Sequence, residues 1–244
     1  MKVIKLGGSL LDDQVRRDAV LLDIAHAWHR GEQLVIVHGG GKHIDAALAQ
    51  KGIAKKTYAG LRITDDATLD IVVSVLDGIV NPLLVSALTN LGVNAIGLSG
   101  SSMLIAEKHP PIDGVDLGNV GRVISANATN ALATLNEGAL PVISCISGAP
   151  AASPAHFNVN ADSAASALAV ALRASSLQFI TDVAGLLDAN GDVVTKLHAN
   201  AVEEWIENVS GGMKPKLQAA LHALRGGVHQ IAIGENGGTN LVAA

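Results

Sequence analysis

The chain has 244 residues, a formal net charge of −5 and one cysteine, and 49% of it is hydrophobic while only 2% is aromatic. The acidic balance excludes a broad nucleic-acid surface, the lone Cys145 excludes a disulfide within the chain and fits a reducing compartment, and the apolar stretches break short of the ~20 residues a membrane span needs. A core of Val, Ile, Leu and Ala suits a parallel sheet under Ala-rich helices, so the expectation is one large α/β domain or two closely packed lobes, without a signal peptide, in the cytoplasm.

Val3–Leu6 reads as a first strand and runs into Gly7-Gly8-Ser9. A helical pattern fills Gln14–His29. The second strand, Leu34–Val37, ends in His38-Gly39-Gly40-Gly41, ahead of a helix over Ile44–Gln50. The basic stretch Lys55–Ile63, which contains Gly60, suggests a hairpin or lid. Ala67–Leu76 and Pro82–Leu91 read as helices and Ala95–Leu98 as a strand. Between Met103 and Ala126, Pro-Pro, Asp-Gly and Gly-Asn signals suggest small antiparallel strands. Pro141–Ile146, Leu177–Ile180 and Gln230–Ile233 read as further strands, with helices over Ala161–Leu172 and Pro215–Leu224. This alternation implies βαβ units and a mainly parallel sheet. A soft lobe boundary is expected near Asn160–Ser176.

Two glycine loops follow parallel-type strands. Glycines there let the backbone approach an anion, and a following helix start offers free N–H groups and a positive dipole end. Neither loop is a Walker motif, which would need glycine at Ile36, or a dinucleotide fingerprint, which would need glycine at Ile44. Lys5 interrupts an otherwise apolar strand. Lys216 opens a helix after Gly211-Gly212. Asp162, taken alone, reads equally as the N-cap of a helix over Ser163–Leu172, and Arg62 as a surface charge on a hairpin. The nine histidines are scattered with no HExxH pattern, so no protein-held metal is expected.

Lys5-Leu6-Gly7-Gly8-Ser9, His38-Gly39-Gly40-Gly41, Gly60-Leu61-Arg62-Ile63-Thr64, Asn158-Val159-Asn160-Ala161-Asp162, Gly211-Gly212-Met213 with Lys216, and Gly238-Thr239 follow one another along the chain. In this order they resemble the N-acetyl-L-glutamate kinases, a branch of the amino-acid-kinase family, over essentially the whole length. The first two motifs mark only the wider family; the others are more specific. The resemblance implies one amino-acid-kinase domain over residues 1–244. Its fold would be a three-layer αβα sandwich with a mainly parallel central sheet, an acceptor lobe over 1–160 and a nucleotide lobe over 161–244. Lys5 and Lys216 would contact the transferring phosphoryl group, with Asp162 holding both lysines. Gly7 and Gly8 would approach phosphate. Gly40, Gly41, Arg62 and Asn158 would bind the acyl amino acid. Thr181, Asp182, Gly185 and Leu186, with the 208–213 loop that holds Gly211, Gly212 and Met213, would line the nucleotide site. ATP would be the co-substrate and Mg²⁺ would arrive with it. A homodimer would form through the apolar faces of Ala67–Leu76 and Pro82–Leu91.

The chemistry suits these residues. A side-chain carboxylate with an ordinary pKa of about 4.3 is already ionised at neutral pH, so no general base is required. The obstacle is an anion approaching a polyanion, and positioned ammonium groups answer it. Two segments depart from the family pattern: Gly100-Ser101-Ser102-Met103 is short and uncharged, and Cys145-Ile146-Ser147 leads into a small-residue stretch, Gly148–Pro154. Three readings stand: phosphorylation of N-acetyl-L-glutamate in arginine biosynthesis; phosphorylation of 2-aminoadipate or glutamate joined to an acidic carrier protein, which Lys51, Lys55 and Lys56 would face; and a non-catalytic ligand-binding protein on the same fold.

Overall fold

The computed structural model describes residues 1–150, 156–209, 211–234 and 238–243, with the backbone alone at Ser9. From the N-terminus, β1 (Lys2–Leu6) leads into α1 (Gly8–Asp12) and α2 (Gln14–His29), and β2 (Leu34–His38) into α3 (Gly41–Gln50). A hairpin of β3 (Thr57–Tyr58) and β4 (Leu61–Arg62) precedes α4 (Asp66–Val75), a π-helical turn Leu76–Val80 and α5 (Asn81–Asn90). Then come β5 (Ala95–Leu98), a 3₁₀ turn Gly100–Ser102, β6 (Leu104–Lys108), β7 (Val120–Ala126), α6 (Thr129–Asn136), β8 (Leu140–Ser144), β9 (Ile146–Gly148) and β10 (His156–Val159). The rest is α7 (Ala161–Ala171), β11 (Ser176–Ile180), β12 (Lys196–His198), α8 (Ala199–Asn208), α9 (Met213–Arg225), β13 (Gln230–Ile233) and β14 (Thr239–Val242).

An eight-stranded sheet runs in the order β12-β14-β13-β11-β1-β2-β8-β5, parallel at every pairing except β13 with β14. Its centre is apolar on both faces: Val3, Leu6 and the whole run Leu34–Val37 are fully buried, as a parallel strand between two helical layers requires. Each such side chain adds roughly 1.5–3 kcal/mol by leaving water. Helix α7 packs over β1 and β11 on one face and against α9, which covers β13, and α2 lies beyond Ile4, Leu34 and Ile180 on the other. The layers are those of an αβα sandwich. Strands β6, β7, β9 and β10 close a small separate barrel, with β6 and β7 antiparallel as the turn signals suggest.

Three details differ from the sequence reading. The run Pro141–Ile146 is not one strand: Cys145 separates β8 in the sheet from β9 in the barrel. Gly100 packs at that break, where a Cβ would lie 2.3 Å from the Ser144 carbonyl oxygen and 2.5 Å from that of Ile146. The expected helices over Ala67–Leu76 and Pro82–Leu91 form one continuous rod, Asp66–Asn90. Pro82 has no N–H to give, and the π turn, in which the Asn81 N–H reaches back to the Leu76 carbonyl, takes up the register without breaking the helix. This 25-residue rod is long and apolar enough to meet the membrane-span criterion, with 39% of its most apolar window buried in the chain. It corrects the expectation that apolar stretches stay short. Finally, α7 is capped by Asn160, whose side chain accepts from the N–H groups of Asp162 and Ser163, so Asp162 is not the N-cap.

Candidate active site

The chain leaves β1 toward β2 on one side and returns to β11 on the other. Such a reversal opens a crevice at the carboxyl ends of the two strands. Three loops meet there. A Cβ on Gly8 would lie 2.9 Å from the Gly41 nitrogen, so the Gly7-Gly8 and Gly39–Gly41 loops touch backbone to backbone. A Cβ on Gly7 would lie 3.0 Å from the Ile180 carbonyl oxygen and 3.6 Å from Lys5 Nζ. Thr181 and Asp182 follow β11 directly and are linked by a 3.1 Å hydrogen bond from Thr181 Oγ1 to Asp182 Oδ1.

Lys5, Asp162 and Lys216, far apart in sequence, meet in the floor of this crevice. Lys5 points from β1 toward the α7 face, beside Phe179 of β11. Asp162 sits in the first turn of α7, and Lys216 in the first turn of α9. Lys5 Nζ lies 2.8 Å from Asp162 Oδ1 as an ion pair, and Lys216 Nζ donates to Asp162 Oδ2 at 2.9 Å. Lys216 also stands 5.6 Å above the Phe179 ring, a cation–π contact. All three side chains are buried. Burial works against the Asp162 carboxylate, but the two ammonium groups, Lys5 first, outweigh it and hold its pKa below the ordinary value. Burial, then Lys5, lowers the pKa of Lys216, and Asp162 opposes both. Two cations on one anion leave a buried net positive charge.

The residues expected on the acceptor side form a second group. Arg62 reaches from the hairpin to the start of α3, where its Nη2 donates to the Gly41 carbonyl at 3.2 Å and to Asp45 Oδ1. Its Nη1 is buried without a hydrogen-bond partner among the described residues. Lys55 holds the other Asp45 oxygen at 2.7 Å. Burial disfavours the Asp45 carboxylate, and these two cations more than compensate, lowering its pKa. Asn158 Nδ2 donates to Thr64 Oγ1 at 3.1 Å, and that hydroxyl donates to the Arg62 carbonyl at 2.8 Å. Gly40 packs closely on the helical rod: a Cβ would lie 2.8 Å from Leu76 Cδ2 and 3.1 Å from Val80 Cγ2, so any side chain there would have to displace them. The sequence reading assigned nothing to Asp45 and no separate role to Thr64. Thr64 lay inside a quoted motif; Asp45 had no local signal, because its partners come from other elements.

On the other side, Gly185 and Leu186 are set by the C-terminal segment. Thr239 Oγ1 accepts from the Leu186 N–H at 2.7 Å, and a Cβ on Gly185 would lie 2.6 Å from that oxygen. The Leu186 side chain is in the core, so only its backbone faces outward chemistry. Gly211, at φ +61°, and Gly212 precede α9, and a Cβ on either would meet nothing within 4 Å. Met213 starts α9 and packs against the core. Ser210 of the 208–213 loop, Ala151–Pro154 of the small-residue stretch and the Ser9 side chain lie outside the described residues. A cavity of about 1130 Å³ lies between the hairpin, β7 and the outer faces of α7 and α9, lined by Leu61, Arg122, Ser163, Ser166, Gln218 and His222; none of Lys5, Asp162 and Lys216 lines it. Cys145 is buried and its thiol is pushed up to about 12, chiefly by burial, so it is no nucleophile at neutral pH. Asp162 is taken by both lysines, and the described residues hold no cluster of three or more His, Cys, Asp or Glu able to bind a metal ion.

A sequence model of the amino acid kinase family matches residues 1–235. The chain is 42% identical over 235 residues to an acetylglutamate kinase from Streptomyces coelicolor, covering 93% of this chain and 76% of that protein. A solved structure from Streptococcus mutans UA159 is 31% identical and superposes with a TM-score of 0.88 over 100% of this chain and 98% of that one. Carbamate kinase from Giardia lamblia, 14% identical, shares the fold with a TM-score of 0.73 over 100% of this chain and 98% of its own.

Proposed function

The chain belongs to the amino acid kinase family, and from that premise we propose that it transfers the γ-phosphoryl group of ATP to the side-chain carboxylate of N-acetyl-L-glutamate, a step of arginine biosynthesis. The observation that carries the chemistry is the buried Lys5–Asp162–Lys216 triad at the meeting point of two glycine loops. The acceptor oxygen attacks the γ-phosphorus, the bond to the ADP oxygen breaks, and ADP leaves with its electron pair. No proton has to move, because the acceptor is ionised beforehand. Lys5 and Lys216 stabilise the charge that spreads over the equatorial oxygens, and Asp162 fixes their positions.

In this reading Gly7 and Gly8 approach phosphate, and Gly40, Gly41, Arg62 and Asn158 bind the acyl amino acid. The unpartnered Arg62 Nη1 supports the latter, since it offers a buried donor to a carboxylate. Thr181, Asp182, Gly185, Leu186, Gly211, Gly212 and Met213 line the nucleotide site. Mg²⁺ enters with ATP, held mainly by phosphate oxygens and water, and screens their charge. The acceptor lobe is 1–160 and the nucleotide lobe 161–244, meeting at the β1–β11 junction. A cytoplasmic homodimer, formed on the Asp66–Asn90 rod, is supported by the rod's apolar composition and by Ile79, which is 50% exposed. The carrier-linked alternative loses part of its footing, because Lys55 is tied to Asp45 rather than free for a partner. A coupled ADP-release assay with N-acetylglutamate, N-succinylglutamate and carrier-linked aminoadipate tests the assignment. Turnover with the first is expected; turnover confined to either of the others would overturn it.

A further inference from the structure

His38 closes β2 ahead of the triple glycine, is 0% exposed and hydrogen-bonds to Gly39 and Asn81 rather than to the ionic triad. Its surroundings determine where its proton sits. Asn81 Nδ2 lies 2.8 Å from the Val142 carbonyl oxygen and 3.0 Å from His38 Nε2. A carbonyl oxygen only accepts, so the Asn81 atom facing it is the amide nitrogen, and its second hydrogen is left for Nε2. Nε2 therefore accepts. The ring proton sits on Nδ1, which donates to the Gly39 carbonyl oxygen at 3.0 Å. Burial keeps the ring neutral by pushing its pKa down to about 4.

The consequence for the loop follows from peptide geometry. In a trans peptide the C=O and the next N–H point in opposite directions. Holding the Gly39 carbonyl against the ring turns the Gly40 N–H away from it. The neighbouring groups are pinned separately: the Gly39 N–H by Leu6, the Gly40 carbonyl by the Ile44 N–H and the Gly41 carbonyl by Arg62. The first N–H groups of α3 have no partner inside the helix.

We propose that His38, locked by Asn81 as the Nδ1–H tautomer, is a positioning residue that sets the Gly39–Gly40 peptide plane and aims the N–H groups at the start of α3 toward the acceptor's carboxylate. This rests on the acceptor site assigned above. The Asn81–His38 link is itself sterically supported: a Cβ on Gly97 would lie 2.0 Å from Asn81 Oδ1, so only glycine at that position of β5 leaves the amide where it is.

The test separates this role from general packing. His38→Asn brings an amide N–H close to the Nδ1 position, whereas His38→Gln reaches the Nε2 position and leaves the Gly39 carbonyl without its donor. The acceptor KM should rise about 10-fold or more in His38→Gln, Asn81→Leu and Gly97→Ala, remain within about 3-fold in His38→Asn, and the ATP KM should stay unchanged in all four. Equal losses in His38→Asn and His38→Gln, or parallel rises in both KM values, would overturn the proposal. Independently of any substrate, ¹⁵N NMR of the histidines at pH 7 should show His38 with its proton on Nδ1; a proton on Nε2 would also overturn it. A wild-type protein that phosphorylates no acyl amino acid but shows the Nδ1 proton would refute the assigned reaction and leave the histidine geometry standing.

Discussion

Replacing Asp162 by Asn keeps the shape of the side chain and removes its charge. In the native fold one lysine lies 2.8 Å from one carboxylate oxygen and the other 2.9 Å from its twin. At an effective dielectric of ~20, a contact near 3 Å corresponds to about 5–6 kcal/mol of attraction, and the two ammonium groups repel each other across the shared carboxylate. The substitution loses both attractions and keeps the repulsion. Desolvation of the native charges offsets much of the gross attraction, so the expected loss of stability is nearer the ~3–5 kcal/mol seen when one partner of a buried ion pair is removed. The least costly relief is for one lysine to give up its proton. Lys216 is that lysine, because burial and then Lys5 already lower its pKa while Asp162 raises it. The expected outcome is a kcat lower by about 10²–10³, with ADP affinity little changed. Lys216 acts only when protonated, so kcat should fall as pH rises through its pKa, which lies below 10.5 in the native protein and lower still in the variant. Rate–pH profiles, calorimetric ADP binding and thermal unfolding on both proteins give the comparison. A near-native kcat, an alkaline limb that does not move, or ADP affinity lost in step with kcat would refute the reasoning.

Arg62→Lys removes the planar fork that offers Nη1 to a carboxylate and should raise the acceptor KM at least 10-fold, with the ATP KM unchanged; steady-state kinetics with each substrate varied in turn checks it. The His38 pKa falls from 6.5 to about 4 on folding, so below pH 6.5 the unfolded chain takes up a proton that the folded chain refuses. The associated stability, about 3 kcal/mol, is complete above pH 6.5 and lost as pH falls toward 4; urea unfolding across that range should show a loss larger by about that amount in the wild type than in His38→Asn, which keeps only the carboxylate contribution near pH 4. Ile79→Glu on the exposed face of the helical rod should give a monomer by light scattering, whereas an unchanged dimer would place the interface elsewhere.

The sheet strands were legible because each is a short, β-branched run between turn signals, and β1, β2, β5, β11 and β13 fall where those runs lie. The short α1 was hidden because it begins on Gly8, inside what reads as a loop. Strand β12 has three residues, too few for a run to show, and the Gly238-Thr239 motif that opens β14 drew the reading away from a strand there. Pro82 marks a helix boundary by local rules, and the π turn that carries the rod through it is a matter of hydrogen-bond register, not composition. Within the site, Lys5 stood out as a charge in an apolar strand, and Asp162 and Lys216 through their motifs. The Arg62–Asp45 and His38–Asn81 pairs join residues 17 and 43 positions apart. Only tertiary packing brings such pairs together, so no local pattern announces them. The cap on α7 went to Asn160 rather than Asp162 because the Asp162 side chain is committed to the two lysines.

The most direct test of the central claim is to trap the product. An acyl phosphate reacts with hydroxylamine to give a hydroxamate, so incubation with MgATP, N-acetyl-L-glutamate and hydroxylamine should yield one hydroxamate for each ADP formed. The yield should collapse by about 10²–10³ in Lys216→Ala, in keeping with the loss of one positioned charge from the transition state. ADP released without hydroxamate, or hydroxamate formed as fast by Lys216→Ala as by the wild type, would contradict the account.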